Sequence, residues 1–239
     1  MTEARVVWAW LQTHPGLWLV ITAAVYLLAD KLHRSLHRLP LLNPVLLTVL
    51  ALIGLLHATG VPYGDYFARV EAIHLLLGPA TVALAVPLYL NLHQVRASLV
   101  PLSLALLVGG SVGIASALLL GRLFGLSAAS LISFAPKSVT TPVAMALAEH
   151  LGGLPALAAG VVILTGMFGA VAGIPLLRWL RVHEPMVQGF ALGVAAHGIG
   201  TARALQVSET AGAFAGLAMG LNAVLTSILL PLLLAIWPL

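Results

Sequence analysis

Cysteine is absent from this sequence. That excludes disulfides and thiolate-held metal, and it leaves the redox compartment open. Charge is scarce as well, at 8% of residues, with seven acids against eleven Lys and Arg. So few charges cannot hold a soluble surface in water, and with 61% hydrophobic residues and a mean hydropathy of +1.08 the solvent has to be the bilayer. The shortage of acids, rather than any long run of bases, sets the pI near 10.0. Basic residues mostly stand singly, which excludes a nucleic-acid partner. Catalytic signatures are lacking too. Glu149-His150 has no histidine four residues later to complete a zinc motif, and Lys137 and Ser138 are adjacent and would diverge on a helix. No enzyme and no cofactor is expected.

Long apolar runs are what the sequence does have. A spanning helix takes about 20 residues, so the chain holds roughly seven or eight segments and no room for a soluble domain. The fold class is all-α, a polytopic transmembrane helix bundle with broken helices, forming a single transmembrane domain over 1–239 in the cell inner (plasma) membrane. Residues 1–60 are read as peripheral helices and 73–239 as a core. The first segment runs from about Trp8 to Leu28. Trp8, Trp10 and Trp18 are too bulky for a cleaved leader, so it is read as a retained helix. It ends in Lys31 to Arg38, the densest basic cluster, which the positive-inside rule puts in the cytoplasm. Pro44 to His57 is a short second segment, and Tyr63, Tyr66 and Phe67 behind it are expected to lie in the membrane interface. Val100 to Leu120 and Pro155 to Leu180 are unbroken, with Gly109, Gly110, Gly113 and Gly166, Gly169, Gly173 offering close-packing faces. Ala211 to Leu239 is the last span. Counting each segment as one crossing places Arg178 and Arg181 opposite the Lys31 to Arg38 cluster, so one segment is expected not to cross fully.

Breaks fall near 78–81, 135–142 and 197–201. Gly78-Pro79-Ala80-Thr81 interrupts an apolar stretch and supplies one hydroxyl, from Thr81. Pro136-Lys137-Ser138-Val139-Thr140-Thr141-Pro142 lies between two short helical patterns. A cation at mid-membrane costs at least about 2.5 kcal/mol on insertion scales, so Lys137 needs a reason. Thr141 before Pro142 reads as an N-cap opening a half-helix whose free N–H groups, with Lys137, Ser138, Thr140 and Thr141, suit a carboxylate. The competing reading is an interfacial lysine snorkelling from a helix end. In the third break, His197, Gly198, Gly200, Thr201 and Arg203 offer donors to an anion, with glycines where a backbone or substrate approaches. A glycine-mediated helix contact is the alternative. An imidazole on a solute path would also suit proton coupling. Asn43 and Asn222 are read as partners for broken-helix carbonyls. Pro79 with Val82 before Pro101, and Pro136 with Val139 before Pro155, follow one order, as an internal, inverted repeat would leave.

Leu77 to Tyr89 (LGPATVALAVPLY), Pro136 to Pro142 (PKSVTTP) and His197 to Ala204 (HGIGTARA) closely resemble the LrgB/CidB family of bacterial membrane proteins, whose plant relative is the plastid glycolate/glycerate translocator. The resemblance runs from about Leu41 to the end. At Ala196 the family more often has serine. The resemblance implies one of two roles. The first is transport of short carboxylates such as glycolate, glycerate or pyruvate. The second is holin/antiholin-like control of murein hydrolases, usually beside a small partner of the LrgA/CidA type. A lysine and hydroxyls at a helix break favour the first, with His197 and Thr201 as the opposing wall. Membrane lipids and a second copy in a homodimer are the other expected partners.

Overall fold

The computed structural model describes residues 15–36, 42, 44–76 and 85–236. Thr81, with the rest of the 78–81 break and the repeat drawn through it, lies outside the described residues, as does Asn43. Twelve helices are described, and the chain divides into two compact units, Met1–Ala83 and Leu84–Leu239.

The first unit holds α1 (Pro15–Ser35), α2 (Pro44–Thr59), α3 (Tyr63–Arg69) and α4 (Glu71–Leu75). Its core is Trp18, Val61, Tyr66 and Val70. Tyr66 is 8% exposed, stacked edge-on against Trp18 at 5.5 Å and in a 3.0 Å hydrogen bond with the Thr22 hydroxyl. It is therefore a core residue, unlike its expected interfacial partners Tyr63 and Phe67, which are exposed. Helix α1 carries on through the basic cluster as far as Ser35, where Arg34 pairs with Asp30 one turn back at 2.7 Å.

The second unit contains α5 (Ala85–Leu90), α6 (Leu92–Ala97), α7 (Leu99–Leu123), α8 (Ala128–Phe134), α9 (Thr141–Leu151), α10 (Pro155–Trp179), α11 (Pro185–Val207) and α12 (Glu209–Ile236). Among the described residues, α1, α7, α10 and α12 are long and apolar enough to cross a membrane, and α2 with α3 would add a fifth but is bent by 119°. This is a polytopic all-α membrane bundle.

Local chemistry fixes the short elements. Ser127 caps α8, its hydroxyl accepting from the Ser130 N–H. Gly152 takes φ 85° at the end of α9, and the Gly153 N–H returns to Ala148 O at 2.7 Å, closing that helix with a left-handed cap. Pro155 starts α10, and the Leu154 N–H before it is taken by the Ser133 hydroxyl at 2.7 Å. Ser208, the one residue between α11 and α12, accepts from the Ala211 N–H.

Two of these elements double back. Were α8 and α9 collinear, residues 133 and 153 would lie about 30 Å apart. Instead a Cβ on Gly153 would fall 3.0 Å from Ser133 Oγ. Residues 128–151 are thus a helical hairpin with its tip at 135–140, where successive turns link Lys137 N–H to Phe134 O and Val139 N–H to Pro136 O. Helix α11 leaves helical geometry at Ala196 (φ −130°, ψ 16°) and His197 (φ 42°, ψ −133°). Residues 192 and 200 would be about 12 Å apart on a straight helix, yet Leu192 O sits against Gly200, where a Cβ would be 2.5 Å from it. This too is a hairpin, with legs 185–195 and 198–207.

The first hairpin runs antiparallel along α7, Leu131 meeting Gly121 near the helix end and Ser138 meeting Gly113 near its middle. Leu192, Ala196 and His197 of the second meet Gly173, Gly169 and Gly166 of α10 in the same antiparallel sense. Because the first has its base where α10 begins and the second where α10 ends, the hairpins enter from opposite ends of the unit. Each stops near mid-depth. This is the re-entrant geometry that lets a segment fail to cross, and it relates the breaks at 135–140 and 196–197 in an inverted sense.

Candidate functional site

The two tips meet beside the glycine face of α7. Gly109 lies against Val194, Gly110 against Asn222 and Leu225 of α12, and Gly113 against Ser138, so the absence of side chains along α7 is what lets both breaks approach it. Asn222 joins them. It is 1% exposed, and its side-chain amide donates to Ser138 O at 3.2 Å and to Val194 O at 3.1 Å. Val194 O would normally accept from the N–H four residues on, which the break at His197 displaces, and Ser138 O belongs to the non-helical tip. One amide group therefore satisfies a carbonyl freed by each break, as main chain at membrane depth requires. Sequence reading assigned Asn222 to broken-helix carbonyls; that it serves both breaks at once follows only from the fold.

In the first tip Lys137 is half-buried, with its ammonium 3.4 Å from Ser138 Oγ. Val139 points inward, 1% exposed, among Ala144, Ala148, Ala158 and Val162. Helix α9 begins at Thr141 with Pro142 in its first turn, so the N-cap is Thr140, one residue before the expected Thr141. Thr140 has extended φ/ψ and no side-chain capping bond. Its hydroxyl is left to other partners, and the N–H groups of Thr141 and Val143 have no carbonyl within their own helix to accept them.

In the second tip His197 is 4% exposed and its Nε2 lies 3.0 Å from Val162 O. The ring lies over Gly166, where a Cβ would come within 2.8 Å of Nε2. The positive φ falls on His197 itself rather than on either glycine after it. Gly200 admits Leu192 O, whereas Gly198 has only Met219 Sδ, 3.8 Å from a notional Cβ. Ala196 is fully buried, its methyl lying over the bare Cα of Gly169. Thr201 donates to His197 O at 2.9 Å, tying the turn, and Arg203 reaches Gln206 at 2.8 Å one turn on. The structure thus gathers Lys137, Ser138, Thr140, Thr141, His197 and Gly198 at the tips. The Thr201 hydroxyl is engaged within its own hairpin leg, and Arg203 is directed toward the hairpin base.

Both second legs, α9 and residues 198–207, start at a tip. Two half-helix N-termini, each with partial positive charge and first-turn N–H groups that point out of the leg, therefore lie at mid-depth beside an ammonium and hydroxyls. Such a constellation favours an anion. A groove of about 550 Å³ runs between α9 and α12, lined by Pro142, Val143, Leu147 and Pro231 together with Ser227 and His150.

Comparison with known proteins matches the LrgB-like family over residues 22–236. YxaC of Bacillus subtilis is 40% identical over 214 residues, covering 90% of this chain and 93% of that protein. YwbG of the same organism is 36% identical over 217 residues, 91% of this chain and 96% of YwbG. The holin-like protein CidB of Staphylococcus aureus is 30% identical over 221 residues, 92% of this chain and 96% of CidB. No solved structure matches. With its apolar crossing helices and a match over nearly its full length, the chain belongs to the LrgB-like family of multi-pass cell-membrane proteins.

Proposed function

We propose that this chain is a secondary transporter of small monocarboxylates of the glycolate, glycerate and pyruvate class. One observation carries the reading: hairpins entering from opposite ends bring two half-helix N-termini together at mid-depth beside Lys137. A two- or three-carbon acid supplies the single negative charge and the acceptors that such donors call for, and inverted hairpins give alternating access its two faces. Lys137 supplies charge, Ser138, Thr140 and Thr141 hydrogen bonds, and His197 lies where a proton would accompany the anion. The test is uptake of labelled glycolate, glycerate and pyruvate into vesicles holding the purified protein, with and without an imposed pH gradient. Saturable uptake lost in Lys137→Ala supports the reading. Unsaturable uptake that the substitution leaves unchanged rejects it.

A second reading has its own support, since the Staphylococcus relatives carry the name holin-like. Their names favour a lysis-control role over carriage and say nothing of a solute. In that role the protein, with a small membrane partner or a second copy, opens a non-selective path. Release of trapped dye would then rise with protein density and show no substrate saturation.

A further inference from the structure

We infer that Asn222 is a positioning residue that ties the two hairpin tips into one unit, so that a displacement of either tip is felt by the other. The geometry is specific. Asn222 sits near the middle of α12, and its one amide nitrogen donates to Ser138 O in one tip and to Val194 O in the other. These two bonds join the tips through a third element. The group is 1% exposed, so water does not compete for the two carbonyls. Among the described residues its Oδ1 has no hydrogen-bond partner, and it rests against the bare Cα of Gly110, where a Cβ would intrude to 2.9 Å. A buried acceptor left unpaired costs about 1–3 kcal/mol, a cost that a merely space-filling residue would not carry. An aliphatic residue would fill the volume, and serine would satisfy one carbonyl. Two donors on one nitrogen are needed to hold both.

The functional meaning rests on the transporter reading, because a site assembled from two tips binds only while they keep their spacing. The tie itself does not depend on it, and the experiment separates the two. The chain has no cysteine, so nitroxides at the exposed positions Ala146→Cys, on α9, and Ala202→Cys, on the second leg of α11, are the only labels. With Asn222 present, the distance distribution between them is narrow. In Asn222→Ala, and equally in the isosteric Asn222→Asp, which keeps the volume but has no N–H and, even protonated, a single O–H to donate, the distribution broadens. Gly110→Ala reaches the same result from α7 with the amide retained, and it decides the matter should the Asn222 variants fail to assemble. In uptake assays Asn222→Asp raises KM about tenfold, the size expected for one or two lost hydrogen bonds, and changes kcat far less. Unchanged distances in Asn222→Asp and Gly110→Ala overturn the tie. Broadened distances in a protein whose uptake is unsaturable keep the tie and reject the transporter.

Discussion

His197 holds one of the two non-glycine positive φ angles among the described residues. A non-glycine side chain at φ 42° costs on the order of 1–3 kcal/mol. It persists because the ring is bonded to Val162 O, the carbonyl is bonded by Thr201, and Gly166 leaves room for the imidazole. Replacement by alanine keeps the strain and removes the ring's bond, so His197→Ala should lower stability by about 2 kcal/mol. His197→Gly loses the same bond but relaxes the backbone, and should be the milder change by about 1 kcal/mol. Denaturant titration in detergent, followed by circular dichroism, measures both; His197→Gly proving the more harmful would show that φ is not the source of cost. Adding a methyl at Gly166 puts a carbon against Nε2, so Gly166→Ala should resemble His197→Ala.

Among the elements, the two hairpins show what could be read in advance. Prolines, glycines and polar residues inside apolar runs mark where a helix must stop: the first tip lies at 135–140, inside the 135–142 stretch, whereas the second break lies at 196–197 and only its last residue belongs to the 197–201 stretch, the rest of which is helical. Direction was not legible. Pro136-Lys137-Ser138 can join two half-helices that continue or two that reverse, and the decision belongs to residues far along the chain, such as Ser133 meeting Leu154 and Leu192 meeting Gly173. Tyr66 failed for the same reason: an aromatic near an apolar segment suits the interface equally well, and only Trp18 and Thr22 show that it is buried. Ser133 gives this scale its test. Ser133→Ala strips the Leu154 N–H of its acceptor, which costs about 1–3 kcal/mol where water is excluded. Amide exchange in the first turn of α10 should quicken while the second hairpin keeps its protection.

For the whole molecule, the arrangement requires the two hairpin bases to face opposite sides of the membrane. Ser127 at the first base and His183 at the second are both exposed, and single cysteines there should react with an impermeant thiol reagent from opposite sides. Labelling of both from one side would overturn the inverted arrangement. Contact between α11 and α12 also depends on missing side chains, because a Cβ on Gly189 or Gly193 would strike the carbonyls of Ala211 or Ala215. Gly189→Val should therefore deplete folded protein in the membrane, not merely slow it, as immunoblots of detergent-soluble fractions would show.

Asn222 also dictates an order of biogenesis. The carbonyl of Ser138 is made early on the ribosome, but its donor follows 84 residues later. Until the last helix emerges, the first re-entrant loop has no lasting companion for that oxygen, and a nascent chain cut short before residue 222 carries an unsettled loop into the lipid, a natural mark for membrane quality-control proteases.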